Sequence, residues 1–509
     1  MSNHSIHSGV AEFTFANQIP NACQIIATSL IAIATVAIIH CVYNLYFHPL
    51  SSYPGPPLWC ALRLPYVIRA VQGRLVYDML DLHKRYGPVV RVAPNELSLA
   101  YEGVWDDVLG GTYDNELPRW KPFYRVQPNQ KQMIFTAPPD EHSKMRRALS
   151  YGFSDRGIRE MESRMGRMLS KMLCRLADVC DQDRTKPTAN KQSEATSGVV
   201  DLTKWCNFMT FDMIGELAFG ESFECLEKLT GIIGLLGFYP KFQDLLLNVF
   251  GGVICRRMDF HQKHSRAAIE RRAMKPDRKD LLTEPLKQTQ MQAEPEAWDD
   301  LAMNAGVLVV AGSETTATTL TAVLFFLLTN KEAHERLVTE VRNAFANEDE
   351  ISIASVNKLE YLLACLNETM RILPAVPVGL PRMVPKGGRI MNGKLVPEDT
   401  IVAGWHWALY HNDTFFQRPF EFHPERFLGE EQFASDARDL LQPFHIGRRA
   451  CIGRSLAYAE MRLALARMIF KLDMEITDES RNWIEQLGGY NFWYKPPLYV
   501  QVTERCTGA

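Results

Sequence analysis

Residues 444–453 read Phe444-His445-Ile446-Gly447-Arg448-Arg449-Ala450-Cys451-Ile452-Gly453, with a single cysteine between two glycines. The glycines allow a tight turn and a close approach of the backbone to a flat molecule. Apolar residues follow at helical spacing, so the cysteine directly precedes a helix N-terminus, where dipole and free N–H groups stabilise a thiolate. The nearby arginine is a fixed cation that can pair with a carboxylate. These features predict a haem held by an axial cysteine.

A buried structural cysteine is the alternative for any single cysteine. The full pattern here is Phe-x-x-Gly-x-Arg-x-Cys-x-Gly, and at roughly 5% per position it arises by chance in about one of 6,000 chains of this length. With this pattern the chain resembles the cytochrome P450 family. The resemblance implies that Cys451 is the proximal iron ligand, with Gly453 in the same haem-binding loop. It also implies that Phe444 packs beside the sulfur and that Arg449 meets a haem propionate. Arg448 stands where many members carry proline, which makes the turn less rigid.

Composition excludes several classes of protein. The 509 residues are 46% hydrophobic and 23% charged, which is typical of a globular chain with a large core. A net charge of −3 gives no basic field for nucleic acid. The 11 cysteines contain no Cys-x-x-Cys pair, which argues against a zinc site or a disulfide scaffold and favours a reducing compartment.

The N-terminal region predicts a membrane anchor. Residues 22–45 lack Asp, Glu, Lys and Arg, and as a helix they would span about 36 Å, enough to cross a bilayer core. A cleaved signal peptide is the alternative, but a basic start and a clear cleavage site are missing. The first basic residues follow the anchor, which places residues 59–509 in the cytosol and the short segment 1–21 on the lumenal side. The proline-rich residues 46–58 indicate a stiff hinge, as in microsomal members of the family, which lie in the endoplasmic reticulum membrane.

A second motif lies in a long predicted helix. Residues 295–328 would form about 50 Å of helix, interrupted by the polar run Ala311-Gly312-Ser313-Glu314-Thr315-Thr316. The small Ala311 and Gly312 would let a planar ligand lie close to the helix. The Thr315 hydroxyl can bond the carbonyl one turn back and open a kink that admits water, and Glu314 can pass protons through that water. A threonine-rich face that packs on another helix is the alternative. The resemblance implies that Glu314 and Thr315 are the catalytic acid–alcohol pair.

The resemblance assigns roles to further residues. His142 and Arg146 lie one helical turn apart, and taken alone they indicate a solvated basic face. In the family this helix contacts the haem propionates, although many members have tryptophan in place of His142. Arg382 is implied as another propionate contact. A buried structural triad that fixes the cysteine loop is implied for Glu368, Arg371 and Arg426, and substrate contacts for Val378, Gly379, Leu380 and Tyr490.

Together these features predict a mainly α protein with a small β-subdomain, the cytochrome P450 fold, preceded by one transmembrane helix. The implied cofactor is haem b. Because no nucleotide-binding Gly-x-Gly-x-x-Gly follows a strand, electrons are expected from a separate NADPH–cytochrome P450 reductase, with cytochrome b5 as a second donor. The implied activity is a monooxygenase that hydroxylates or epoxidises a lipophilic molecule. A haem-thiolate isomerase or dehydratase is the alternative, against which the intact Glu314 and Thr315 argue. A non-catalytic haem protein and a cofactor-free structural protein are weaker alternatives.

Two observations bear on the substrate. Residues 231–254 are unusually apolar and indicate either a lid that touches the membrane or a substrate channel, or ordinary core packing. Residues 201–205 and 211–220 are similar to fungal members that act on terpenoids or polyketides in secondary metabolism. The substrate is therefore expected to reach the protein from the membrane.

Overall fold

The structure is a computed structural model that describes residues 22–111, 115–124, 133–184, 198–223, 225–226, 265–292 and 295–505. Its helices are α1 (Ala22–Val42), α2 (Pro57–Ala61), α3 (Leu64–Val71), α4 (Leu75–Tyr86), α5 (Val104–Leu109), α6 (Lys121–Tyr124), α7 (Pro139–Leu149), α8 (Asp155–Arg184), α9 (Leu202–Ala218), α10 (265–273), α11 (Thr283–Gln292), α12 (Pro295–Thr329), α13 (Lys331–Ala344), α14 (Ile353–Val356), α15 (Glu360–Ile372), α16 (His406–Tyr410) and α17 (Arg454–Lys471). Its strands are β1 (Val89–Ala93), β2 (Glu96–Leu99), β3 (Val199–Asp201), β4 (Arg382–Met383), β5 (Arg389–Met391), β6 (Lys394–Val396), β7 (Ile401–Gly404), β8 (Leu472–Ile476), β9 (Gly488–Gly489), β10 (Trp493–Tyr494) and β11 (Tyr499–Glu504).

Helix α12 is the central element of the core. It is apolar enough to cross a membrane, yet two-thirds of its most apolar stretch, 67%, is buried inside the protein. It packs along α9 and also contacts α15 and α17. Leu320, Val323 and Leu324 on it are fully buried. A helix that is apolar on most sides is stable in water only when others surround it, and this explains its place at the centre.

The strands form small sheets at the edge of the helical core. One sheet has the order β1-β2-β7-β4, with β2 and β7 parallel and the other pairs antiparallel. A second has the antiparallel order β3-β11-β8, and β5-β6 and β9-β10 are hairpins. The predicted mainly α fold with a small β-region is confirmed for the described residues.

Helix α1 is exposed on all sides, as expected for a segment that lies in lipid. The residues that follow it are packed against the catalytic domain. Asn44 is buried and donates to the Ala61 carbonyl at 2.9 Å, and Arg91 donates to the Asn44 carbonyl at 2.8 Å. Leu50 is fully buried. The proline-rich segment thus lies on the surface of the catalytic domain because buried polar and apolar contacts fix it there.

Some predicted features fall outside the described residues. These are the N-terminal segment 1–21 and the apolar segment 231–254. Residues 185–197, which follow α8, are also outside the described part of the chain.

Candidate functional site

The loop that carries Cys451 is held by its own backbone. The Cys451 N–H donates to the Phe444 carbonyl at 2.8 Å, which closes the turn and brings these two residues together. Gly447 has a positive φ of 75°, and a Cβ there would collide with the Leu109 carbonyl oxygen. A side chain at this position would therefore push the loop away from α5. Helix α17 begins directly after Gly453, as the sequence predicts.

The surroundings of the Cys451 sulfur have opposite effects on the pKa of its thiol. Burial raises the pKa of the thiol, while a hydrogen bond from the Gly453 amide and the positive charge of Arg146 lower that pKa. The donor expected at the helix N-terminus is present, but burial outweighs it, so the protein alone favours the thiol. A metal ion bound to the sulfur would remove the proton. Cys451 as a whole residue is nevertheless exposed to solvent, although it lies in a loop packed against buried elements.

Several cations converge near this loop. Arg382 and Arg449 both form ion pairs with Glu116, the former at 3.1 Å. Arg449 also donates to the Ala137 carbonyl at 3.1 Å, and Arg146 donates to the Ala450 carbonyl, within the cysteine loop, at 2.7 Å.

His142 belongs to the same cluster. It is buried, which differs from the solvated face that its sequence alone indicates. Burial and then the neighbouring arginines lower the pKa of His142 to about 4, so the imidazole is neutral at pH 7.

Sequence reasoning missed two members of this cluster, Glu116 and Arg119. Arg119 is bridged to Arg382 through the backbone, and burial, together with the charges of Arg449 and Arg382, lowers the pKa of its guanidinium to about 9. Its Nε and Nη1 atoms are buried and have no hydrogen-bond partner among the described residues, and the same is true of Arg382 Nε. Buried N–H groups on a cation require an acceptor, and an anion fits best.

Helix α12 has an accessible stripe in its otherwise buried middle. Val310 is 54% exposed, Ala311 is exposed, and Glu314 and Thr315 are partly exposed. The Thr315 hydroxyl donates to the Ala311 carbonyl at 2.7 Å, as predicted, and the helix is continuous through the motif. Val310 is an apolar neighbour of the motif that sequence reasoning missed.

Gly312 is expected to face a planar ligand, but it faces a neighbouring helix. A Cβ on it would lie 3.1 Å from Cδ1 of Ile214, a residue of α9. The glycine therefore permits close packing of α12 on α9, and on the accessible stripe the small residue is Ala311.

The stripe and the cysteine loop belong to the same region of the protein. Thr316, next to Thr315, lies 3.4 Å from the carboxyl group of Glu460 on α17. Glu460 is six residues after the start of α17, or about 9 Å along its axis from the end that follows Cys451. Glu460 is buried, and burial raises the pKa of its carboxyl group to about 8.

Comparison with known proteins agrees with this geometry. The family model of cytochrome P450 matches residues 53–500. The chain belongs to the cytochrome P450 family. It is 38% identical over 504 residues to the cytochrome P450 monooxygenase tpeC of Talaromyces stipitatus, covering 95% of this chain and 96% of that protein. It is 39% identical over 502 residues to the monooxygenase astA of Talaromyces wortmannii, covering 95% and 98%. It is 36% identical over 481 residues to the trichothecene C-15 hydroxylase of Fusarium sporotrichioides, covering 91% and 95%.

This P450 is a monooxygenase whose cofactor is a haem with a thiolate-ligated iron, and its electrons come from NADPH through a reductase. The residues present fit that cofactor. An exposed cysteine, buried guanidinium N–H groups that find no acceptor among the described residues and an accessible stripe on α12 are what a flat, dianionic, iron-binding group requires.

The three residues of the expected triad are brought together in this P450. Glu368, Arg371 and Arg426 are fully buried. Arg371 binds Glu368 through two hydrogen bonds of 2.8 Å, and Arg426 Nε lies 3.2 Å from the same carboxylate. Arg426 also pairs with the buried Asp436, a fourth member that sequence reasoning missed.

A chain of hydrogen bonds joins this cluster to the cysteine loop. Arg371 donates to the Tyr410 carbonyl at 3.0 Å, and the Tyr410 hydroxyl accepts from the Gln442 N–H at 2.8 Å. The Gln442 carbonyl then accepts from the His445 N–H at 2.9 Å, inside the loop. The buried charges are thus connected to the backbone that carries Cys451.

The expected substrate contacts lie in different surroundings. Val378 is buried in the main core, and Leu380 is half-buried. A Cβ on Gly379 would meet the Ala403 side chain and the Gly404 carbonyl at 2.7 Å, so this glycine serves close packing on β7. The Tyr490 ring lies over Gly73, 2.9 Å from where a Cβ would be.

Proposed function

We propose that this P450 hydroxylates or epoxidises a lipophilic terpenoid or polyketide, with Cys451 as the axial ligand of haem b. The observation that carries the proposal is an exposed cysteine near a buried cluster of arginines, whose N–H groups outnumber the acceptors that the described residues offer them. A relative named as a trichothecene hydroxylase supports oxidation of a terpenoid-like carbon skeleton. The exposed Val310 supports an apolar substrate beside α12.

The residues around the loop would bind and orient the cofactor. Arg119, Arg146, Arg382 and Arg449 would hold its propionates, and the neutral His142 would donate a hydrogen bond without adding charge. Phe444 would pack beside the sulfur, since the backbone bond that closes the turn brings the two residues together. The Gly453 amide would moderate the electron density on that sulfur. Ala311 would leave room for the cofactor beside α12, while Gly312 allows α12 to pack closely on Ile214 of α9.

Bound haem supplies the reduction and activation of O2, which no side chain of the protein can perform. The protein would hold a proton at the Thr315 hydroxyl, whose oxygen is fixed by its bond to the Ala311 carbonyl. Glu314, one residue away and partly exposed, would pass protons to that hydroxyl through water. Glu368, Arg371 and Arg426 would keep the loop in place and have no chemical role.

The protein associates with a membrane through α1 and needs a reductase and a lipophilic substrate. We infer the endoplasmic reticulum as that membrane, with residues 1–21 in the lumen and the catalytic domain, residues 59–509, in the cytosol. NADPH–cytochrome P450 reductase would be the electron donor and cytochrome b5 a second one. The absence of Lys and Arg before α1 supports this orientation.

The test begins with the CO difference spectrum of the dithionite-reduced, detergent-solubilised protein and of Cys451→Ser. A strongly red-shifted Soret band that the variant lacks is the expected result. A band typical of histidine-ligated haem, or no haem in a folded protein, would overturn the assignment of Cys451. Spin shifts on addition of terpenoids and polyketides then identify the substrate class, and a product formed without O2 consumption would favour an isomerase or dehydratase.

A further inference from the structure

The carboxylate of Glu314 is bound by a residue from the other end of the chain. Lys495, between β10 and β11, donates from Nζ to Glu314 Oε1 and, at 2.7 Å, to the Thr318 hydroxyl. Thr318 in turn donates to the Glu314 carbonyl at 2.7 Å. Lys495 is therefore bonded both to the carboxylate and to the helical turn that follows it.

Lys495 has little freedom to move. Its side chain is only 3% exposed, whereas that of Glu314 is 31% exposed. The next residue, Pro496, is held by two hydrogen bonds of 2.9 Å to its carbonyl, from the Thr203 hydroxyl and the Trp483 indole. The ammonium group is thus a fixed, buried charge, and it binds a carboxylate that belongs to the accessible stripe on α12.

A buried ammonium needs a counter-ion, and the Glu314 carboxylate supplies it through a charge-assisted hydrogen bond. We propose that Lys495 is a positioning residue for Glu314, which fixes the direction of that carboxylate along α12, towards the turn that carries Thr318. The inference rests on the proposed role of Glu314 as a proton donor. It extends the site to a residue in the C-terminal β-region that lies outside the sequence motifs of the haem pocket.

Lys495 and Glu314 differ in exposure, so removing one partner should lower the Tm more than removing the other. Glu314→Gln leaves a nearly inaccessible ammonium without its counter-ion, while Lys495→Met leaves a carboxylate that water can still reach. We therefore expect Glu314→Gln to lower the Tm of the full-length, detergent-solubilised protein more than Lys495→Met does. The double variant Glu314→Gln/Lys495→Met should recover most of that loss.

A second measurement tests whether Lys495 affects proton delivery through Glu314. Oxygen consumption driven by NADPH and reductase is measured in H2O and D2O, with no organic substrate added. Lys495→Met should lower the rate about tenfold and change the solvent isotope effect in the same sense as Glu314→Gln. In the Glu314→Gln background, Lys495→Met should have no further effect, because residues that act as a unit are not additive. Lys495→Arg, which keeps the cation, should restore most of the rate.

Lys471→Met is the matched control, because Lys471 pairs with Glu348 at 3.0 Å on the surface of the protein. It should change neither the rate nor the isotope effect. A Lys495→Met effect that is the same with Glu314 and with Gln at position 314 would overturn the inference. A wild-type protein without the red-shifted CO band would instead refute the proposed function before any Lys495 variant is compared.

Discussion

The buried carboxyl group of Glu460 makes the stability of this P450 depend on pH. Glu460 lies on α17 with 4% of its surface exposed, and its carboxyl group accepts a hydrogen bond from the Thr316 hydroxyl at 3.4 Å. Burial raises the pKa of Glu460 from 4.5 to about 8. The folded protein therefore binds this proton more tightly than the unfolded chain. The contribution of this proton to the free energy of unfolding is complete below pH 4.5 and is lost as the pH rises towards 8.

The size of the effect follows from that shift. At about 1.4 kcal/mol per pKa unit, a rise from 4.5 to about 8 corresponds to an upper value of about 5 kcal/mol lost above pH 8. Glu460→Gln keeps the shape and the hydrogen bond with Thr316 but cannot ionise. The variant should thus match the wild type within about 1 kcal/mol at pH 5 and exceed its free energy of unfolding by a few kcal/mol at pH 8.5.

The assay is urea unfolding of the full-length protein in detergent at pH 5, 6, 7, 8 and 8.5. Glu475→Gln, an exposed glutamate on β8, is the matched control and should show no pH-dependent difference from the wild type. A constant difference between Glu460→Gln and the wild type at all five pH values would refute the reasoning, because it would mean that Glu460 does not change its charge in this range.

Three further substitutions test the haem loop and its supports. Arg119→Met should speed the transfer of haem to apomyoglobin about tenfold, because it removes a charge-assisted bond of about 1.5 kcal/mol. Gly447→Ala should destabilise the protein by at least about 2 kcal/mol, measured by urea unfolding, because the positive φ and the contact with Leu109 both oppose a side chain. Asp436→Asn should cost about 3–5 kcal/mol in the same assay, because it leaves the buried Arg426 short of negative charge.

Each of these has a control. Arg389→Met removes an exposed guanidinium bonded to the Asn115 carbonyl and should not change haem transfer. Gly429→Ala has a similar positive φ, 85°, but nothing within 4 Å of the added Cβ, so it measures backbone strain alone. Asp439→Asn changes an exposed carboxylate near Asp436. Equal losses of unfolding free energy in Gly447→Ala and Gly429→Ala would contradict the role of the Leu109 contact. Equal losses in Asp436→Asn and Asp439→Asn would contradict the importance of the buried pair of Asp436 and Arg426.

The elements with strong local patterns could be predicted from the sequence. Helix α12 follows from an apolar run with acids in its first turn, and the turn before α17 follows from two glycines and the helix that succeeds them. The bond from Thr315 to Ala311 is predictable because the side chain and its acceptor are one turn apart on one helix. Such features depend only on residues that are neighbours in the chain.

Packing between distant segments could not be predicted in the same way. Gly312 looks equally suited to face a planar ligand or a neighbouring helix, and only the position of Ile214 shows which side its missing Cβ faces. The proline-rich segment after α1 looks like a stiff hinge, and the contacts that hold it against the domain come from elsewhere in the chain. One of them is the bond from the Arg91 N–H to the Pro54 carbonyl. Lys495 lies about 180 residues from Glu314, and no local motif connects them.

The charge of the arginine cluster could not be predicted from the sequence either. Arg382 and Arg449 share the carboxylate of Glu116, so one negative charge already serves two positive ones. Arg119 joins them with a pKa of about 9, which leaves it charged at pH 7. A single arginine in a sequence carries no sign that its neighbours in space are also cations. Only the sum over all of them, a buried surplus of positive charge with N–H groups that lack acceptors, indicates that an anion belongs there.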